Sequence, residues 1–509
     1  MTMTHPGLPL SWALGVFISM LVLALWSMTV PPPGSHQQHS WPLPGLASLS
    51  RWLTATTWPL RLLKLLIVAL FLLVIIAGLQ GSPIPERNIA TVLTWNWWWA
   101  GLVFSVFLLG SAWCAVCPWD TLANWLVRLR LPGRQLTAHS LALKVPKALR
   151  NLWPALWLFV GLTWLELGVG ITASPYATAL LALTMVVLTT ASLAVFERKA
   201  FCRYFCPVGR TIGFYAQLAP IELRPVDTDI CARCTTLECY HGTEKVDPCP
   251  THLVMGKLIE NTYCVSCGNC TQSCPHQNIA WRPRPLSREA LQTARPHWDE
   301  AWFMLCLLGL TGFHGVTMLP QWTGWISGLG QQLQDSGQLL LSFSLAMLLA
   351  TALPILIYAL CIGWLRALAK PSRQQPQHMG FKPLFSGCAF VALPLAFAYH
   401  LAHNLNHLVR ESGASPELLS NPLGLGALPL SMEEIHLRHM NMWISPDWLS
   451  ALQAGLLLLG FWIALQVIRH RGHRLLGLQR LQLFPLLLFV CATTAYHLWL
   501  LMQPMTMRM

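Results

Sequence analysis

Long apolar runs, separated by short polar stretches, set the pattern of the chain. Ten of them, at 8–30, 60–79, 95–113, 151–172, 176–196, 301–320, 339–363, 384–408, 451–468 and 482–503, have roughly the 20-residue length that a bilayer core asks of a helix. They are apolar all round rather than along one stripe, as lipid-facing helices are. The one long polar stretch, 197–300, is rich in cysteine and proline. The pattern predicts an all-α polytopic membrane protein of about ten transmembrane helices with one small α+β module inserted. It divides the chain into an N-terminal transmembrane region (1–200), the module (201–300) and a C-terminal region of five spans (301–509).

Composition agrees: 54% of the 509 residues are hydrophobic and 10% charged, against about 25% charged in soluble domains. The formal charge of +13 invites a nucleic-acid reading, but the basic residues sort by loop. Loops 31–64, 118–150, 197–300, 364–383 and 469–481 hold 29 of the 33 Lys and Arg; only Arg87, Arg410, Arg438 and Arg508 fall elsewhere. Cytoplasmic loops collect basic residues. The expected orientation in a cell inner membrane therefore has both termini periplasmic and the basic loops, including 197–300, cytoplasmic, with no nucleic-acid partner. No Lys or Arg precedes the first run, so it reads as a span rather than a signal peptide. Trp97, Trp98 and Trp99 suit an interfacial aromatic belt.

Twelve of the sixteen cysteines lie in four groups between Cys114 and Cys274. In a reducing compartment such groups mean metal rather than disulfides. Cys264-x2-Cys267-x2-Cys270-x3-Cys274-Pro275 is the bacterial ferredoxin run, whose fourth cysteine ligates the neighbouring cluster. Cys231-x2-Cys234-x4-Cys239-x9-Cys249-Pro250 is a looser copy. Crossed ligation gives cluster I Cys231, Cys234, Cys239 and Cys274, and cluster II Cys264, Cys267, Cys270 and Cys249. The expected cofactors are two [4Fe–4S] clusters in a ferredoxin-like module; structural zinc is the alternative, since paired cysteines also suit a tetrahedral ion. Gly256 and Gly268 read as turn residues, and Asn278-Ile279-Ala280 as a short strand.

Two further segments copy each other: Trp113-Cys114-Ala115-Val116-Cys117-Pro118 and Phe201-Cys202-Arg203-Tyr204-Phe205-Cys206-Pro207. Each follows the end of a span, so Cys114, Cys117, Cys202 and Cys206 could meet at the membrane face as a third metal centre or a dithiol pair; the alternative is inert buried thiols. Cys-Pro motifs flanking a two-cluster segment resemble the membrane polyferredoxins of the NapH and NosR type and, more distantly, CcoG. The resemblance covers about residues 60–300. It implies electron transfer across the inner membrane to or from periplasmic reductases, or copper reduction in oxidase assembly. Cys202 and Cys206 keep the family's x3 spacing, whereas Cys114 and Cys117 have x2. Neither the flavin domain of NosR nor the immunoglobulin-like tail of CcoG is matched, so donor and acceptor do not transfer.

The last five spans concentrate histidine. His400, His403 and His407 share one helix face, while His314 lies in the outer half of the sixth span, His497 in that of the tenth, and His436 and His439 in an outer loop. Three readings stand: ligands of haem b, ligands of copper together with Met432, Met440, Met442, Met502, Met505, Met507 and Met509, or ordinary hydrogen-bonded histidines. Glu166, inside the fourth span without a basic neighbour in its helix, is a candidate proton-relay or quinone site, or a packing hydrogen bond. The chain carries no phosphate-gripping glycine loop or dinucleotide fingerprint. The reading is an electron-transfer subunit, rather than a stand-alone enzyme, between cytoplasmic-side clusters and a quinone, haem or periplasmic redox partner. A copper reductase and a redox sensor are the alternatives.

Overall fold

The computed structural model describes residues 4–30, 45, 48–49, 52–53, 57–128, 140–369, 380–411, 415–440 and 442–506. It is mostly helical. In chain order the principal helices are α1 (Leu10–Thr29), α2 (Thr57–Gln80), α3 (Trp99–Leu109), α4 (Pro118–Arg128), α5 (Trp153–Trp164), α6 (Pro175–Val195) and α7 (Pro207–Tyr215). They continue with α8 (Trp298–Thr317), α9 (Trp322–Leu333), α10 (Leu340–Leu368), α11 (Ala392–Glu411), α12 (Pro446–Val467) and α13 (Phe484–Met502). Several begin with proline in the first turn, where its missing N–H costs nothing and its fixed φ suits the helix.

Among the described residues eight helices are long and apolar enough to cross a membrane, fewer than the expected ten. The fourth run forms α5 and a π turn, Leu165–Val169, and stops at Gly170, which leaves it shorter than the others. The sixth passes only as a pair: α8 and α9 meet at a bend of 100°, where Pro320 cannot continue the helix. Outward rows of leucine on α2 (Leu62, Leu66, Leu70) and α10 (Leu349, Leu353, Leu360) are exposed. An apolar band this continuous is what a lipid-facing surface requires.

Two contacts fix the relative direction of the helices. Trp298 at the start of α8 touches Phe385 of the short helix Phe381–Cys388 that leads into α11 (ring centroids 4.9 Å), and His314 near the end of α8 touches His403 of α11 (5.0 Å). The two helices therefore run side by side the same way. At the far end of α8, strands β1 (Thr4–His5) and β4 (Met505–Thr506) pair antiparallel, and the Thr506 N–H donates to the Met318 carbonyl at 2.8 Å. Both described chain ends thus lie on one face of the bundle, opposite the cysteine-rich segment that leads into α8.

That segment is built on an antiparallel pair, β2 (Ile221–Pro225) and β3 (Ile279–Pro283), with Leu223 opposite Trp281. The strand expected at Asn278–Ala280 thus begins at Ile279. A small core of Leu223, Met255, Cys264, Cys270 and Ile279 lies under it. The polar-looking stretch before β2 instead forms α7, every residue of which is buried, with Val208, Ile212 and Phe214 packed into the main bundle core. A buried ionic network closes the sheet. Glu289, 2% exposed, accepts from Arg284 and, at 3.1 Å, from Arg224, and takes the Asn261 N–H at 2.8 Å.

Candidate redox site

The two cysteine runs come together as two groups. Cys249, Cys264, Cys267 and Cys270 line one small cavity with Leu223, Met255 and Val265. Cys231, Cys234, Cys239 and Cys274 form the second group, each of Cys231 and Cys239 lying in the electrostatic field of the others. Cys270 faces Cys239 as well as its own group, so the groups adjoin. Gly268 is left-handed (φ +79°) in the turn between Cys267 and Cys270, and Gly256 presses on Cys231: a Cβ there would lie 2.7 Å from the Cys231 Cβ. N–H groups already point at sulfur, from Leu253 to Cys249 at 3.3 Å and from Asn278 to Cys274 and Cys231 at 3.5 Å. Burial pushes the Cys264 thiol up to about 11 and raises Cys267 and Cys270; without a cation these groups hold their protons. A hydrogen bond from the Leu237 N–H is the main influence lowering Cys234.

Among the described residues no three His, Cys, Asp or Glu side chains converge on one ion position. The donor set, the cavity and the N–H···S contacts fit an iron–sulfur cluster, whose potential such hydrogen bonds tune.

The Cys-Pro motifs form a third group. Each proline opens a short helix, Pro118 in α4 and Pro207 in α7, so Cys117 and Cys206 sit just before helix N-termini. Cys206 Sγ accepts the Gly209 N–H at 3.2 Å. Cys114 faces Cys206, and Cys202 faces both Cys206 and Cys117. Cys114 also lies in the field of Cys264. Asp120, three residues after Cys117, pairs with Lys199, three before Cys202, at 2.5 Å. Burial alone would lower the Lys199 ammonium, but Asp120 and Cys202 raise it above its ordinary value. This pair, and Arg210 gripping the Thr262 carbonyl at 2.9 Å beside Cys264, were missed in the sequence; their matching offsets from the two cysteine pairs were the available signal.

Above the third group lies a cavity of about 320 Å³. Trp113, Pro118 and Trp119 line it next to Cys114 and Cys117; Trp97, Trp98 and Trp99, expected as an interfacial belt, line it too, with Trp98 5.6 Å from Trp113. Glu166, Thr178, His314 and His400 are among its polar points, with Thr94, Thr163 and Thr311, set in apolar walls such as Phe71 and Met185. Glu166 has no hydrogen-bond or ion-pair partner among the described residues. Both ring nitrogens of His400 are engaged, Nε2 by the Trp99 Nε1–H and Nδ1 by the Tyr215 hydroxyl, each at 3.2 Å. Indole N–H only donates, so His400 Nε2 is unprotonated and the neutral ring carries its proton on Nδ1.

The remaining histidines cluster on the terminus-bearing side. His403 and His407 meet Nε2 to Nε2 at 3.1 Å, His314 packs on His403, and Tyr399 stacks on His497 with ring centroids 4.4 Å apart. The side chains of His436, His439 and Met440, and residues Met507 and Met509, lie outside the described residues.

Comparison with known proteins finds three partial similarities. A 95-residue stretch is 34% identical to YccM of Escherichia coli K12, named as a candidate electron transport protein, covering 18% of this chain and 24% of YccM. Two uncharacterized proteins of Methanocaldococcus jannaschii match more broadly. One is 27% identical over 213 residues (42% of this chain, 78% of the relative) and the other 22% over 218 residues (41% and 82%). No protein-family model and no solved structure matches the chain.

Proposed function

We propose that the chain is an inner-membrane electron carrier. In this reading it exchanges electrons between a quinone held in the tryptophan-lined cavity and iron–sulfur centres on the cysteine-bearing face, which serve a soluble redox partner. The supporting observation is an unbroken series of neighbours. The cavity wall Trp113–Trp119 carries Cys114 and Cys117; Cys114 lies in the field of Cys264; Cys264 belongs to the group that adjoins Cys239. Cluster II would be held by Cys249, Cys264, Cys267 and Cys270, cluster I by Cys231, Cys234, Cys239 and Cys274, and a third centre by Cys114, Cys117, Cys202 and Cys206. When bound, such groups supply one-electron chemistry.

The protein's own contribution is positional. Buried arginines hold the cysteine loops, N–H groups face the sulfurs, and the apolar cavity excludes water from its ligand. A volume of about 320 Å³ with few polar points is typical of a small-molecule site, and Glu166, Thr178 and His314 supply hydrogen-bonding groups for a quinone's two oxygens. The partition of Lys and Arg supports a cytoplasmic cysteine-bearing face and periplasmic chain ends.

The test is iron and acid-labile sulfide analysis of anaerobically purified full-length protein, with EPR before and after dithionite. Iron and sulfide in equal amounts, with signals of reduced [4Fe–4S] centres, are expected. Zinc in place of iron overturns the reading.

A further inference from the structure

Three imidazoles run from the cavity toward the terminus-bearing face, and the function above uses only the first of them, His314 at the cavity wall. His314 lines the cavity and its ring packs against His403, centroids 5.0 Å apart. His403, 2% exposed, meets His407 one helical turn further along α11, Nε2 to Nε2 at 3.1 Å. Of two nitrogens sharing one hydrogen bond, one must carry the proton and the other must not. His403 Nδ1 is buried without a hydrogen-bond partner. His407 is half-buried and lies next to Asn406 and Arg410, the latter donating to the former at 2.8 Å where α11 reaches its end. Other polar groups around His403 are Tyr399 and His400 on its own helix and His497 of α13, stacked on Tyr399.

We infer that His314, His403 and His407 form a proton relay between the quinone cavity and the terminus-bearing face; the inference rests on the quinone reading of that cavity. Quinol oxidation breaks two O–H bonds and releases two protons and two electrons. The electrons pass one at a time to oxidised iron–sulfur centres on the cysteine face, and the protons leave by the histidines. His314 takes the quinol proton and, being in ring contact with His403, hands a proton to the His403 Nδ1, whose ring passes its Nε2 proton to His407 Nε2 as His407 releases its Nδ1 proton outward. Return of both rings to the starting tautomer readies the relay for the second proton. His400, with both nitrogens committed to Trp99 and Tyr215, is a wall of the cavity and not a member. Charge separation follows: electrons go to one face and protons to the other.

The experiment uses full-length protein reconstituted in liposomes, with duroquinol as reductant. Bleaching of the iron–sulfur absorption is followed by stopped flow and proton release by a pH dye on each side of the membrane. His403→Phe is expected to slow reduction by duroquinol about 100-fold, at the low end of what a positioned proton acceptor contributes. Reduction by dithionite, which delivers electrons without hydroxyl protons, should be unchanged, and added imidazole should restore part of the duroquinol rate. If His403→Phe fails to fold, the half-buried His407→Phe serves in its place. Unaltered duroquinol rate and proton release in a folded variant overturn the relay while leaving the quinone reading intact. Duroquinone that fails to quench tryptophan fluorescence in the unmodified protein removes the cavity reading, and the relay with it.

Discussion

Replacing Glu289 by glutamine keeps the shape of the side chain and removes its charge. The carboxylate is 2% exposed and is shared by Arg284, 1% exposed, and Arg224, 6% exposed. It also takes the Asn261 N–H, three residues before Cys264. Removing one partner from a buried ion pair leaves the other charge uncompensated, at a cost of about 3–5 kcal/mol. At about 1.4 kcal/mol per factor of ten, the equilibrium for opening the cysteine segment shifts by roughly two to four orders of magnitude. Arg282→Gln is the matched control. Arg282 pairs with Glu222 at 2.9 Å but is 36% exposed, and exposed pairs contribute about 0–1 kcal/mol. The assay is loss of iron–sulfur absorbance in mild urea, with limited proteolysis of 221–290 as a readout independent of metal. Glu289→Gln should be far more sensitive than Arg282→Gln by both. If the two variants behave alike, the network does not hold the segment closed and the reasoning fails.

Gly256→Ala should selectively disturb the group containing Cys231, since its Cβ would stand 2.7 Å from the Cys231 Cβ; iron analysis should show loss from one centre while the other keeps its EPR signal. Acidification should weaken the cysteine segment through His252. Burial, with Arg198 and Arg203 nearby, lowers this group to about 4 from an ordinary value near 6.5, so the folded form binds fewer protons than the unfolded one. That contribution is present above about pH 6.5 and is lost as pH falls toward 4; urea titrations across the window should show it, and His252→Gln should flatten it. Glu166→Gln should weaken duroquinone binding, read by tryptophan quenching, by about tenfold, the size of one lost hydrogen bond to a buried acceptor; unchanged quenching would remove Glu166 from the site.

The sequence marked the spans where apolar runs were long and uniform, and it misjudged two whose ends depend on local geometry. Gly170 cuts the fourth short, and Pro320 turns the sixth through a bend before α9. The cysteine groups could be read from spacing because a short loop lets neighbouring thiols reach one centre. Helix α7 could not, since its arginine, threonine and glycines look like a polar loop until the bundle buries them. The cavity was equally hidden. It is assembled from tryptophans, Glu166 and histidines on separate helices, and only tertiary packing brings Trp99 and Tyr215 to the same imidazole. Histidine spacing on one helix gave the His403–His407 contact, but not the neighbour supplied by α8.

Arg471, at the end of α12, donates to the backbone carbonyls of Glu289, Ala290 and Ala294, and Arg198 donates to the Cys249 carbonyl at 2.9 Å. Cations on the bundle side thereby clasp the main chain of the cysteine segment from two directions. A segment clasped this way is not a swinging arm that ferries charge on a tether. Under the proposed function it would be a fixed terminal, so traffic with a soluble partner would depend on that partner's collision and docking, and its rate should follow ionic strength rather than linker length.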